Sequence, residues 1–152
     1  MKLYSTNQKS KKITFKEAIL SGLADDGGLF MPEKIPILPK SFFKKLTPLT
    51  SLQEIAFTVS KAFLKEEIPD RALKKIIEKS ITFDAPLIET KIDLPGKNYP
   101  IYCLELWKGP TLAFKDFGAR FMAQLFSYFR EKKKITILAA TSGDTGSAVA
   151  SG

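Results

Sequence analysis

Residues 135–140, ITILAA, form an almost unbroken apolar run, and the small, glycine-bearing stretch TSGDTGSA follows at once. A strand without polar alternation has to be covered on both faces, the condition of a strand inside a parallel sheet. Upstream, IYCLELW (101–107) has strand composition. Phe117, Phe121, Met122, Leu125 and Phe129 then recur at helical spacing, predicting a helix over 116–131. Strand, helix, strand is the order of a βαβ unit, and a second helix is predicted to open near Asp144. Only about two such strands follow residue 85, fewer than a parallel sheet needs, so the chain is expected to be the front part of a larger protein.

The first half reads differently. Thr14 and Glu17, and again Ser51 and Glu54, have the spacing of a capping box. The first pair predicts a short helix with Phe15, Ile19 and Leu20 on one face, terminated by Gly22. The second predicts a helix over 52–65 with Leu52, Ile55, Ala56, Val59 and Phe63 turned inward. Pro69 suits the first turn of a further helix striped by Leu73, Ile76 and Ile77. KLYST predicts a short first strand, Asp26-Gly27-Gly28 a turn, and Pro32, Pro36 and Pro39 an extended crossing. Between 84 and 100 three prolines and a Pro-Gly pair mark a change of composition, placing a boundary near residue 85. The expected fold class is therefore α/β, with a helical domain over 1–85 and the start of a parallel-sheet domain over 86–152.

Composition removes whole classes of chemistry. The chain has no histidine and a single cysteine, Cys103, which excludes histidine-dependent triads, an intramolecular disulfide and a Cys/His zinc cluster; no metal site is expected. Lys and Arg number 24 against 16 acids, a formal +8, but the basic residues are scattered, with only KSKK (9–12) and EKKK (131–134) as short runs. No continuous stripe for nucleic acid follows from that, and no nucleic-acid partner is expected. The opening MKLYSTNQKS lacks a signal-peptide core and no apolar stretch approaches the roughly 20 residues that span a bilayer, so no membrane partner is expected and the cytoplasm is the expected location.

Two short segments carry chemical interest. In GPTLAFKDFGARF (109–121), Lys115 stands between Phe114 and the acid Asp116, which can cap the helix that follows. A lysine there either snorkels to water or is held desolvated as an amine able to attack a carbonyl. In TSGDTGSA (141–148), small residues and two glycines allow backbone N–H groups to approach a ligand at a helix start, a place for a carboxylate or phosphate. The alternative is a plain turn with Asp144 or Thr145 as N-cap. A Walker phosphate loop is excluded, since Ser147 rather than lysine follows the second glycine. Both segments are expected at strand-to-helix junctions on one side of the sheet, facing one crevice. Trp107, Phe114 and Phe117 are expected to fill core space.

The run ELWKGPTLAFKDFGARF, with ATSGDTGSAVA, YSTN and FKEAILSGLADDGGLFMP in the same order, closely resembles the threonine synthase family of fold type II pyridoxal phosphate enzymes. The resemblance implies conversion of O-phospho-L-homoserine and water to L-threonine and phosphate, with pyridoxal 5'-phosphate as cofactor. It implies that Lys115 holds the cofactor covalently. It also implies that Ser142, Gly143, Asp144, Thr145 and Gly146 receive the substrate carboxylate, Asp144 bordering the cofactor as well. Lys108 stands where many relatives have histidine. The family's glycine-rich cup for the cofactor phosphate lies further along than residue 152, so these residues alone are expected to be inactive. Threonine dehydratase or cysteine synthase would be the neighbouring alternatives, disfavoured by YSTN and DDGGLFMP; a non-enzymatic basic module binding nucleic acid is the alternative of another class. The resemblance leaves the oligomeric state unknown.

Overall fold

The computed structural model describes residues 1–90, 100–130, 134 and 136–152. It opens with a three-stranded antiparallel sheet in the order β2-β1-β3, where β1 is Lys2–Ser5, β2 Ile13–Thr14 and β3 Phe30–Pro32. Leu3 pairs with Ile13 on one side and Pro32 on the other, so the alternation in β1 turns Leu3 and Ser5 inward. Leu3 and Ile13 bury against Ala18 of helix α1, Phe15–Ser21.

The predicted Thr14–Glu17 capping box is present, and Gly22 ends α1 at φ 78°, a conformation that costs a residue without Cβ least. A second acid completes the helix start. The Glu67 carboxylate accepts from Phe15 N at 3.0 Å and from Lys16 N at 2.8 Å, satisfying first-turn donors that the chain's own helix cannot.

Asp26 ties the first sheet to its loops. Its carboxylate accepts from Ser5 Oγ at 2.6 Å, from Lys9 N and Ser10 N at 2.9 Å each, and from Gly28 N at 3.0 Å. The Ser5 hydroxyl, then the Gly28 and Lys9 amides, hold this carboxyl far below the usual carboxylate range. A Cβ on Gly28 would strike Ser5 Oγ and stand 2.9 Å from Asn7 N, so the turn requires glycine there. Because the folded-state value is depressed, Asp26 contributes stability that is fully present above the unfolded value near 3.8 and is lost as pH falls below it. Asp26→Asn is expected to be less stable than the parent at pH 7, with the gap narrowing towards pH 2; urea titrations at the two pH values measure it. A gap independent of pH would contradict the assignment.

Helix α2 is Lys40–Lys45, α3 Leu52–Leu64 and α4 Asp70–Ser80. The Ser51–Glu54 box starts α3 as predicted. Leu64, Ile68, Leu73, Ile76, Ile77 and Ile81 form the main core, closed from the other side by Leu125 and Phe129 of helix α5, Lys115–Phe129. The carboxyl end of α4 is satisfied by other elements. Gln53 Nε2 donates to Ile81 O at 2.7 Å, and Arg120 of α5 donates from Nε to Ser80 O at 3.2 Å and from Nη2 to Lys79 O at 3.3 Å.

Strands β4, Leu87–Thr90, and β5, Ile101–Leu104, form a separate antiparallel pair in which Leu87 faces Leu104 and Ile88 faces Cys103. Helix α6 is Asp144–Ser151. The mixed helix and sheet composition is as expected, but no βαβ unit is formed among the described residues. Of the ITILAA run, residue 135 lies outside the described residues and 136–140 are exposed without strand structure, Leu138 being 92 % exposed. All described strand pairs are antiparallel. The physical reason is that a parallel strand has no local hydrogen-bond partner: it forms only when neighbours stand on its edges, and no described strand does so here. None of the described helices is long and apolar enough to cross a membrane.

Candidate active site at the start of helix α5

The loop KGPTLAF leads into α5 and is held from inside the helix. Asp116 is completely buried and reaches back, accepting from Thr111 N at 2.9 Å on Oδ2 and from Thr111 Oγ at 2.8 Å on Oδ1. It does not cap α5, as the sequence suggested; the capping position is Phe114, whose side chain can accept nothing. Gly109 permits this approach, because a Cβ there would overlap the Asp116 carboxylate and stand 2.8 Å from Phe83 Cζ. Leu112 adopts φ 57°, a left-handed conformation that costs a leucine about 1–2 kcal/mol and persists only where its surroundings fix it.

Lys115 follows as the first residue of α5, half-buried. Its Nζ lies 5.8 Å from the centre of the Phe114 ring and has no hydrogen bond or ion pair among the described residues. The aromatic neighbours divide. Phe117 packs on the main core and tilts against Phe83 at 4.7 Å, whereas Phe114 is 61 % exposed and Trp107 is exposed too, so only one of the three fills core space as expected. Lys108 is engaged: its Nζ pairs with Glu105 Oε2 at 2.8 Å and lies 6.0 Å from the Trp107 ring.

The TSGDTG segment does open a helix. Gly143 is the residue before α6, at φ 143°, and Asp144, Thr145 and Gly146 are its first three residues. Neither Asp144 nor Thr145 is the cap. The Thr141 hydroxyl accepts from Gly143 N at 2.9 Å and from Gly146 N at 3.3 Å. This leaves the N–H groups of Asp144 and Thr145 without acceptors among the described residues. Ser142, Gly143, Asp144 and Thr145 are exposed and Gly146 is half-buried. Oriented donors at a helix start with hydroxyls beside them suit an anion. Thr141 was not singled out from the sequence, although a threonine two residues before a glycine turn has a recognised habit of bonding forward to the backbone.

Helix α6 is seated on α5. Gly152 lies against Ala119 and Arg120, where a Cβ would stand 3.2 Å from Ala119 O, one turn beyond Lys115. Lys115 and the TSGDTG turn are thus carried by two helices in contact. The grooves of about 440 Å³ between α3 and α4, at Phe57 and Lys74, and about 290 Å³ between α4 and α5, at Lys79 and Tyr128, include neither.

Residues 2–81 match a family model described as "Threonine synthase N terminus". The chain is 45% identical to a threonine synthase of Buchnera aphidicola subsp. Baizongia pistaciae over 152 residues, 99% of this chain and 34% of that protein. It is 39% identical to the Escherichia coli (strain K12) enzyme over 150 residues, 99% of this chain and 33% of that one. Among solved structures, E. coli threonine synthase superposes with a TM-score of 0.86 at 38% identity, covering 99% of this chain and 33% of that one. The structure described as PLP-bound threonine synthase from Brucella melitensis superposes with a TM-score of 0.85 at 34% identity, covering 99% and 32%. The chain therefore spans about a third of the length of these relatives. With more than half of its residues inside the family model, this chain belongs to the threonine synthase amino-terminal family.

Proposed function

We propose that this chain forms the amino-terminal part of a threonine synthase, converting O-phospho-L-homoserine and water to L-threonine and phosphate with pyridoxal 5'-phosphate as cofactor. The observation that carries this reading is the half-buried amine of Lys115, without an ion pair or hydrogen bond among the described residues and held at a helix start by a constrained loop, in a chain that resembles threonine synthases over 99% of its length. An aldehyde cofactor requires such an amine, so the donor set fits the group. The described residues assign no place to its phosphate. When bound, the cofactor supplies an electron sink for charge developing at the substrate's α carbon.

This chain's residues have three tasks in that reading. Lys115 Nζ holds the cofactor and, when free, takes and returns a proton at the substrate's carbon atoms. The N–H groups of Asp144 and Thr145, with the Ser142 hydroxyl and the adjoining Gly143 and Gly146, receive the substrate carboxylate, and Asp144 also borders the cofactor. Fixing that carboxylate decides which bond at the α carbon is aligned for cleavage. Lys108, paired with Glu105, is a weaker candidate for an anionic substrate than a free cation would be. We assign residues 1–85 to one domain and 86–152 to the start of the cofactor domain, place the protein in the cytoplasm, and expect neither nucleic acid nor membrane as a partner.

The test is a chimera in which residues 1–152 replace the aligned third of the E. coli enzyme. It is expected to release phosphate from O-phospho-L-homoserine, while the 152 residues alone release none. A folded chimera that takes up pyridoxal phosphate yet leaves phosphohomoserine intact would contradict the proposal.

A further inference from the structure

We infer that Asp116 is a positioning residue for Lys115, acting through Thr111 as a clamp that fixes where the amine emerges; this rests on Lys115 being the cofactor lysine. Asp116 is adjacent to Lys115 in sequence but opposite to it in environment, with no exposed surface and both carboxylate oxygens occupied by one residue, Thr111. A buried side chain with two well-formed hydrogen bonds is rigid, because moving either partner leaves buried polar groups unsatisfied. Three further features hold the same loop. Gly109 lets the backbone close over the carboxylate, Leu112 is kept at φ 57°, and Leu112 N donates to Gly109 O at 3.1 Å. The next residue along the helix, Phe117, is locked against Phe83. Lys115 is thereby the first helical residue of an element pinned on both sides, and its stem has one origin from which to reach.

The clamp depends on hydrogen-bond geometry and not on charge. Asparagine at 116 can still accept from Thr111 N through its carbonyl oxygen and donate to Thr111 Oγ through its amide, the hydroxyl turning from donor to acceptor. Asp116→Asn is therefore expected to retain the function, whereas Asp116→Ala removes it. Gly109→Ala should reproduce the alanine effect with Asp116 intact, since the added Cβ would displace the carboxylate.

The experiment incubates the chimera of residues 1–152 and the remaining two thirds of the E. coli enzyme with pyridoxal 5'-phosphate, fixes adducts with borohydride and maps the modified lysines by mass spectrometry. The other lysines of the same molecule serve as internal reference, and circular dichroism monitors the fold. The parent is expected to favour Lys115. Asp116→Ala and Gly109→Ala are expected to lower that preference by about tenfold with the other lysines unchanged, and Asp116→Asn to keep it. Should Asp116→Ala fail to fold, Thr111→Val, which deletes one of the two bonds, carries the same test with a smaller expected loss and Thr111→Ser as its rescue. No preference for Lys115 in the parent would overturn the cofactor-lysine reading and the clamp with it. A preference that survives in the folded alanine or valine variant would overturn the clamp alone.

Discussion

Replacing Lys115 by alanine is expected to lower phosphate release from O-phospho-L-homoserine by about a thousandfold or more in the chimeric enzyme, with little change in folding stability. The size follows from two losses at one atom. The amine that holds the cofactor disappears, and so does the group proposed to move protons at the substrate's carbons. The small stability effect follows from the surroundings: Lys115 makes no ion pair or hydrogen bond among the described residues, and its single aromatic contact, at 5.8 Å from Phe114, is to an exposed ring. Lys108→Ala gives the contrast. It removes an ion pair to Glu105 on a partly exposed surface and is expected to change turnover by less than about tenfold. Equal losses for both lysines would mean that the chain's net positive charge, and not one amine, carries the effect.

The largest stability effect is expected at Leu73. Its side chain has no exposed surface and lies in the cluster where α4 meets Leu64, Ile68, Leu125 and Phe129. Truncation to alanine leaves a cavity between helices that also hold one another through the Arg120 bonds to the end of α4, which limits collapse around the gap. The expected cost is about 2–5 kcal/mol. A domain of this size has roughly 5–15 kcal/mol in total, so Leu73→Ala should shift the urea midpoint by a large fraction of its parent value. Leu49→Ala, at a position 93 % exposed, should stay within about 0.5 kcal/mol. The pair of urea titrations separates burial from leucine content as the cause.

What the sequence made legible was what the chain settles over a few residues. The Thr14–Glu17 and Ser51–Glu54 boxes, the stripe of α4 and the glycine end of α1 each depend on groups within four or five positions, and each is present. Contacts that close over long separations left no local trace. Glu67 reaching the start of α1 spans about fifty residues, and Arg120 reaching the end of α4 spans forty. ITILAA failed for the same reason in reverse: its composition reports a doubly covered strand, but a strand exists only beside its neighbours, and the described residues offer it none. Near the candidate site, the placement of Lys115 and of the TSGDTG turn at helix starts was legible from the sequence. The backward bonds of Asp116 to Thr111 were not, because an acid at a helix start reads as a cap, and the close pass of Gly109 that leaves room for them has no sequence signal of its own.

One amine of this chain, at 115, is expected to take up an aldehyde cofactor. Titrating pyridoxal phosphate into the chimera and into its Lys115→Ala counterpart, with visible absorbance as the readout, tests it most directly. A protein-dependent visible band that saturates with one equivalent in the first and is missing from the second is the expected result. The same band in both proteins would contradict it.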